Sequence, residues 1–129
     1  MDYSQLSDFE INSAVHNAKL KEPYSLVFMG DDRIAWTKEN GDQIIKDKVP
    51  YTKNGVHDYC NDWSDAGPII VDNEISLNSY GSAWEASFEH DAPIGAFGTD
   101  ETVTSGYEHR NPLRAAMIAF LMKREHSNA

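Results

Sequence analysis

The chain has 129 residues, of which 40% are apolar and 25% charged, and this length and composition predict one globular domain spanning residues 1–129. The formal net charge of −10 is unevenly distributed: residues 1–53 hold nine acids and seven bases, residues 54–109 hold eleven acids and no Lys or Arg, and residues 110–129 hold four bases and one acid. These numbers argue against direct binding of nucleic acid or of an anionic membrane surface, because both require clustered Lys and Arg.

The N-terminal region predicts a helix over residues 7–19. Ser7 is a good N-cap, and Glu10 three positions later completes a capping box, while Leu6 can pack against Ile11. Apolar residues then follow helical spacing at Ile11, Ala14, Val15 and Ala18. The acidic, polar start lacks the basic and apolar stretches of a signal peptide, which favours the cytoplasm.

The next region predicts an antiparallel meander of three strands. Residues 24–29 and 33–37 are rich in strand formers and are separated by the turn sequence at 30–32. A second turn contains Asn40-Gly41, which suits positive φ, and residues 43–46 follow as a short third strand.

The segment from 61 to 75 allows two interpretations. Asn61 or Asp62 can cap a helix, but Gly67-Pro68 falls inside it, where proline removes a backbone donor. Either a short helix ends near Ala66, or a kinked helix continues toward Ile75; a helix over 62–72 is favoured. Its predicted inward residues are Trp63, Ala66, Ile69 and Ile70.

Residues 82–90 alternate between apolar and polar side chains, which predicts a half-buried strand. Residues 91–110 contain three Gly and one Pro and show no sustained period. A hairpin, a mobile lid and disorder all remain open for this segment. Apolar spacing also predicts that the three tryptophans, Trp36, Trp63 and Trp84, belong to the core.

The last predicted element is a helix over NPLRAAMIAFLMKRE, residues 111–125. Asn111 is an N-cap type, Pro112 suits the first helical position, and Lys123 and Arg124 suit the last turn. Residues 115–122 carry no polar side chain, and this run is far shorter than the roughly 20 residues of a membrane span. We predict a core helix of about 13 residues in which Ala116 and Phe120 are buried, with a homodimer interface as the alternative.

The single cysteine excludes an internal disulfide and fits a reducing compartment. His57 and Cys60 lie three residues apart, but no second pair of this kind is available to complete a zinc site. A catalytic thiolate would need a positive surround, which this acidic segment does not supply. We therefore expect Cys60 to be a small buried residue, and we expect neither a metal nor a cofactor.

Four carboxylates form the candidate site, at Asp58, Asp62, Asp65 and Asp72. They could pair as acid and base or hold Mg²⁺, although acids at this density more often form a solvated surface. The negative potential of the acidic segment is expected to be partly neutralised by the bases near the final helix, Arg110, Arg114, Lys123 and Arg124.

The blocks SDFEIN, DYCNDWSDAGPIIVDNEISL, WEAS and NPLRAAMIAFLM resemble the NinX-like family of small phage and prophage proteins. The resemblance implies a phage accessory gene product in the cytoplasm of a bacterial host. It also implies an α/β sandwich with helices at both ends of the chain. It implies no particular activity and transfers no catalytic residues.

The predicted fold is α+β, a single-domain α/β sandwich in which a small antiparallel sheet packs with the N-terminal, middle and buried C-terminal helices. Three functions remain open. The favoured one is an accessory protein that binds a basic host or phage protein through the four aspartates. The others are a small enzyme resembling metal-dependent hydrolases, which would use the acidic segment, and an acidic mimic of nucleic acid.

Overall fold

The computed structural model describes residues 2–20, 23–28, 33–37, 41, 43–46, 57–94 and 99–127. Within them the chain forms three α-helices and two three-stranded antiparallel sheets. A 3-10 turn, Tyr3–Gln5, comes first, and the other elements in chain order are α1 (Asp8–Ala18), β1 (Ser25–Phe28), β2 (Ile34–Thr37), β3 (Gln43–Lys46), α2 (Trp63–Asp72), β4 (Ser76–Ser79), β5 (Trp84–Ile94), β6 (Thr99–His109) and α3 (Pro112–Ser127).

Helix α1 begins as predicted. The Ser7 side chain accepts a hydrogen bond from the Glu10 backbone at 3.1 Å, and the Glu10 side chain accepts one from the Ser7 backbone at 2.9 Å. This reciprocal capping box satisfies two of the donors that a helix start leaves unpaired. Ile11 and Val15 are fully buried, so the predicted apolar stripe faces the core.

The first sheet is the predicted meander, in the order β1-β2-β3. Ala35 pairs with Val27 on one side and with Ile45 on the other. Phe9 of α1 packs on Ile34 and Trp36, which confirms that Trp36 belongs to the core. In the second turn Gly41 has φ +89°, as predicted, whereas Asn40 lies outside the described residues. The predicted turn at 30–32 also lies outside them.

Helix α2 confirms the interpretation that placed a helix over 62–72. Asp62 is its N-cap, and Pro68 is accommodated inside the helix rather than ending it at Ala66. The chain leaves α2 through Glu74, whose φ of +52° lies in the left-handed region. The strand β4 that follows was not predicted, because four mostly exposed residues carry no alternating pattern.

The second sheet has the order β4-β5-β6 and resolves the alternatives for residues 91–110 in favour of a hairpin. Strands β5 and β6 pair from Trp84↔His109 to Ile94↔Thr99, and the connection at 95–98 lies outside the described residues. Trp84, predicted to belong to the core, is only partly buried. A Cβ atom on Gly106 would lie 2.7 Å from the Ala86 carbonyl oxygen, so glycine permits the close approach of the two strands.

Helix α3 is the centre of the molecule. Over Leu113–Leu121 every residue is buried, including Ala116 and Phe120, which confirms the predicted core helix. The helix contacts α1, α2 and all three strands of the second sheet, and its three alanines are fully buried. It runs for 16 residues rather than about 13.

The predicted α+β fold is confirmed, with one difference in the sheet. The strands form two sheets rather than one, and α1 contributes residues to two buried clusters. Ile11 and Val15 join the main core around α3, while Phe9 joins a second cluster on the first sheet. None of the helices in the described part of the chain combines the length and the hydropathy that a membrane crossing requires.

Candidate functional site

The four predicted aspartates lie on α2 and on the turn before it. Asp58 is in the turn, Asp62 caps the helix, and Asp65 is in its first turn. Asp72 is the last residue of α2, about 15 Å further along a helix of this length. The structure therefore gathers three of them and separates the fourth.

Asp58 and Asp62 both accept hydrogen bonds within the fold. Asp58 is half-buried, and its Oδ1 accepts from Asn12 Nδ2 and Asn61 Nδ2, both at 3.0 Å. Asp62 Oδ1 accepts from the Ser64 backbone at 2.9 Å and from the Ser64 hydroxyl at 2.6 Å. These bonds from Ser64 lower the pKa of Asp62 below its ordinary value. Both carboxylates are thus held in fixed orientations.

Asp65 and Asp72 differ in their surroundings. Asp65 lies 3.1 Å from His57 Nδ1, and its side chain is only 17% exposed. Asp72 is exposed and has no ion pair or side-chain hydrogen bond within the described part of the chain. It also lies at the negative end of the α2 dipole, which is unfavourable for a carboxylate. Asp72 is therefore available to an external cation.

The turn that carries Asp58 is clamped by two asparagines from opposite ends of the chain. Asn12 of α1, which is fully buried, accepts a hydrogen bond from the Cys60 backbone at 3.0 Å. Asn111 donates from Nδ2 to the Cys60 carbonyl at 2.7 Å. The Oδ1 of Asn111 caps α3 by accepting from the Leu113 backbone at 2.9 Å. The position of the acidic turn is therefore set by both terminal helices.

Arg114 lies beside this clamp and is 8% exposed. Its Nη1 lies 2.7 Å from Asp8 Oδ1, and its Nη2 donates to the backbone carbonyls of Leu6 and Tyr3 at 2.5 and 3.3 Å. The direct ion-pair partner of Arg114 is therefore Asp8, which lies outside the acidic segment 54–109. Burying a guanidinium costs free energy because it loses its water, and the bonds to Asp8, Leu6 and Tyr3 offset that cost.

Three of the four blocks that carry the family resemblance meet at this clamp. SDFEIN provides Asp8 and Asn12, DYCN provides Asp58, Cys60 and Asn61, and NPLR provides Asn111 and Arg114. Sequence reasoning did not find Asn12, although a signal exists: it lies three positions after Phe9 and three before Val15, at the helical spacing of two apolar residues. Asn111 was predicted only as a cap.

Cys60 is fully buried, and burial raises the pKa of its thiol. This confirms the expectation that Cys60 is a small buried residue. Among the residues that the structure describes, no three His, Cys, Asp or Glu side chains gather as metal ligands would.

Two clefts of ligand-binding size lie elsewhere on the molecule. One of about 540 Å³ lies between β4, β5 and α3, and its lining includes Glu74, Ser76, Glu89 and Lys123. Another of about 550 Å³ lies between α1, β1 and α3, and its lining includes Tyr3, Leu26, Phe28 and Leu121. None of the four aspartates lines either of these two clefts.

The prediction that Trp63 faces the core is wrong, since its side chain is 57% exposed. Helix α2 buries a narrow stripe centred on Ala66 and Ile69. At about 100° per residue, Trp63 lies roughly 90° around the helix from the centre of that stripe. The exposed tryptophan is thus next to Asp62, the N-cap of the same helix.

Comparison with known proteins identifies a family. No curated protein and no solved structure gives a significant match. The family described as Bacteriophage P22, NinX, matches residues 2–124, which is nearly the whole of the chain. That range includes every residue of the clamp, of α2 and of both sheets. The chain therefore belongs to the NinX family of bacteriophage proteins.

Proposed function

We propose that this protein is a phage accessory protein that binds a basic protein of the phage or of its bacterial host, in the host cytoplasm, through the acidic segment 54–109. The observation that carries this proposal is the charge of the segment, with eleven carboxylates and no Lys or Arg. Carboxylates at this density repel one another, and together they attract a basic surface.

The geometry of the candidate site supports a binding surface rather than a reaction centre. Asp58, Asp62 and Asp65 are each engaged by a different neighbour within the fold, and the four aspartates line neither cleft. The clamp holds the turn rigidly against both terminal helices. A preorganised charged surface loses little conformational entropy when it binds, which favours affinity.

The proposal is tested by affinity capture from phage-infected bacteria, followed by kinetics with the purified partner. Association should slow as salt rises, because the screening length falls from about 10 Å at 0.1 M to about 3 Å at 1 M. Neutralising Asp62 and Asp65 with Asn should slow association more than it speeds release. Asparagine is also a good N-cap, so the start of α2 is preserved.

A matched control changes the charge by the same amount outside the segment. Asp2→Asn combined with Glu125→Gln also removes two negative charges, and glutamine keeps an acceptor for the Tyr3 hydroxyl. This control should leave association within about twofold of wild type, because distant exposed charges are screened. A partner whose binding is indifferent to salt and to the Asp62 and Asp65 substitutions would make the segment a solubility feature only.

A further inference from the structure

One side of α2, outside its buried stripe, carries exposed apolar side chains. Trp63 is 57% exposed and Val71 is 74% exposed, and Gly67 lies midway between them, so the three follow each other at every fourth position along one side of the helix. Single apolar residues scattered over a surface are ordinary. Two large ones on one side of a ten-residue helix form a patch, and tryptophan is enriched at the anchoring centres of protein interfaces.

Ala66 and Ile69 make contacts of α2 with the core, on another side of the helix. A Cβ atom added at Gly67 would meet nothing within 4 Å, which shows that the side carrying Trp63 and Val71 is open. Trp63 and Val71 belong to neither buried cluster of the described residues, so those clusters do not account for their apolar character.

Acidic groups flank the patch along the helix. Asp62 lies at the N-terminal end, while Asp72 and Glu74 lie exposed at the C-terminal end. Pro68 also has no backbone N–H, so the Ser64 carbonyl lacks its usual helical donor. An apolar centre with acidic ends and an available carbonyl fits a partner that brings apolar side chains and positively charged donors.

The same charges argue against a second copy of this chain. Two copies joined through this face would place carboxylates against carboxylates, and like charges brought together at an interface cost several kcal/mol. A basic partner has the opposite balance, because each acidic group gains a counter-charge.

We infer that the side of α2 that carries Trp63 and Val71 is the docking surface for a protein partner whose contact surface holds apolar side chains flanked by Lys or Arg, with Trp63 as the anchor. This inference rests on the proposed function and specifies where and by what chemistry the partner binds. Trp63 packs between the apolar side chains, and the charged groups at both ends of α2 orient the partner.

The test uses a labelled amphipathic helix of Leu and Lys, about 18 residues and roughly 27 Å long, as the probe. Its binding to the full chain is measured by fluorescence anisotropy. Trp63→Ala should weaken binding about 30-fold, as expected for an anchoring residue. Tyr80→Ala is the matched control: Tyr80 is 61% exposed and lies outside α2, so binding should stay within about twofold.

Four other results would each contradict the inference. Equal binding by wild type and Trp63→Ala, no binding of the Leu/Lys helix at all, or equal binding of a Leu/Glu helix would each overturn the inference. Self-association in sedimentation equilibrium that is lost in Trp63→Ala would make the occupant a second copy and also overturn it.

The charge substitutions and Trp63→Ala together distinguish a failure of this inference from a failure of the proposed function. If salt and the Asp62 and Asp65 substitutions weaken binding but Trp63→Ala does not, the proposed function stands and the anchor is wrong. If Trp63→Ala weakens binding while salt and the charge substitutions do not, the electrostatic function fails.

Discussion

Asn111 offers a direct test of the clamp that positions the acidic turn. Its side chain accepts hydrogen bonds from the Leu113 and Arg114 backbones at the start of α3, and it donates to the Cys60 carbonyl at 2.7 Å. Two substitutions separate these roles. Asn111→Ser keeps a capping oxygen but removes the donor, whereas Asn111→Ala removes both.

The expected losses follow from these contacts. Leaving the Cys60 carbonyl without its donor should cost about 1–3 kcal/mol, and this is the loss expected for Asn111→Ser. Losing the cap adds about 1 kcal/mol, so Asn111→Ala should lose about 2–4 kcal/mol. For a chain of 129 residues each kcal/mol corresponds to about 4 °C in Tm, so the Ala variant should melt about 8–16 °C below wild type.

Urea unfolding measures the two losses, and amide hydrogen exchange shows where they arise. The backbone amide of Cys60, which donates to Asn12, should exchange faster in both variants because the turn is held at one end only. Asn111→Ser unfolding within about 0.5 kcal/mol of wild type, with unchanged exchange at Cys60, would refute the role of the clamp.

Further variants test the fold around the site. Phe120→Ala should cost about 3–5 kcal/mol in chemical unfolding, because it removes a buried ring; a loss under about 1 kcal/mol would contradict the packing of α3. Gly106→Ala should cost about 1–3 kcal/mol, since its Cβ would clash with the paired strand; an unchanged urea midpoint would argue against the register. Pro68→Ala should raise the free energy of unfolding by about 1–3 kcal/mol, because it restores a helical N–H at an exposed position. A Tm of this variant below that of the wild type would contradict the prediction. Burial lowers the pKa of both His109 and His16, so below about pH 6.5 the unfolded chain binds more protons than the folded one. The free energy of unfolding should therefore fall as the pH falls, and His109→Gln should make the urea midpoint depend less on pH. A urea midpoint of the wild type that does not change with pH would contradict the lowered pKa values.

Local signals allowed much of the fold to be predicted. The capping box at Ser7 and the apolar run at 115–122 depend on neighbouring residues, and both predictions are confirmed. The hairpin β5-β6 was left open because its pairing is between residues up to 25 apart, from Trp84 to His109, and β6 has no apolar alternation. Pairing at such distances leaves little trace in a short window of sequence.

The candidate site was only partly predictable for a related reason. The four aspartates could be identified from composition, but one partner of Asp58, the Asn12 amide of α1, is distant in sequence and could not. Trp63 was misplaced because the buried stripe of α2 is narrow and its phase is set by contact with α3. The phase of a short helix depends on which neighbours it meets, and this is a tertiary property.

The clamp on the acidic turn has a consequence for how the protein is made. The backbone of Cys60 forms hydrogen bonds with side chains 48 positions before it and 51 positions after it, and Arg114 forms one with Asp8 across 106 positions. Contacts of such sequence separation require the closure of long loops and form slowly. During translation, the acidic turn cannot take its final position until residue 114 has been synthesised and has left the ribosome. The acidic turn is thus completed only after α1 and the start of α3 are both present, and a nascent chain stalled before residue 114 carries its acidic segment without the geometry of the folded protein.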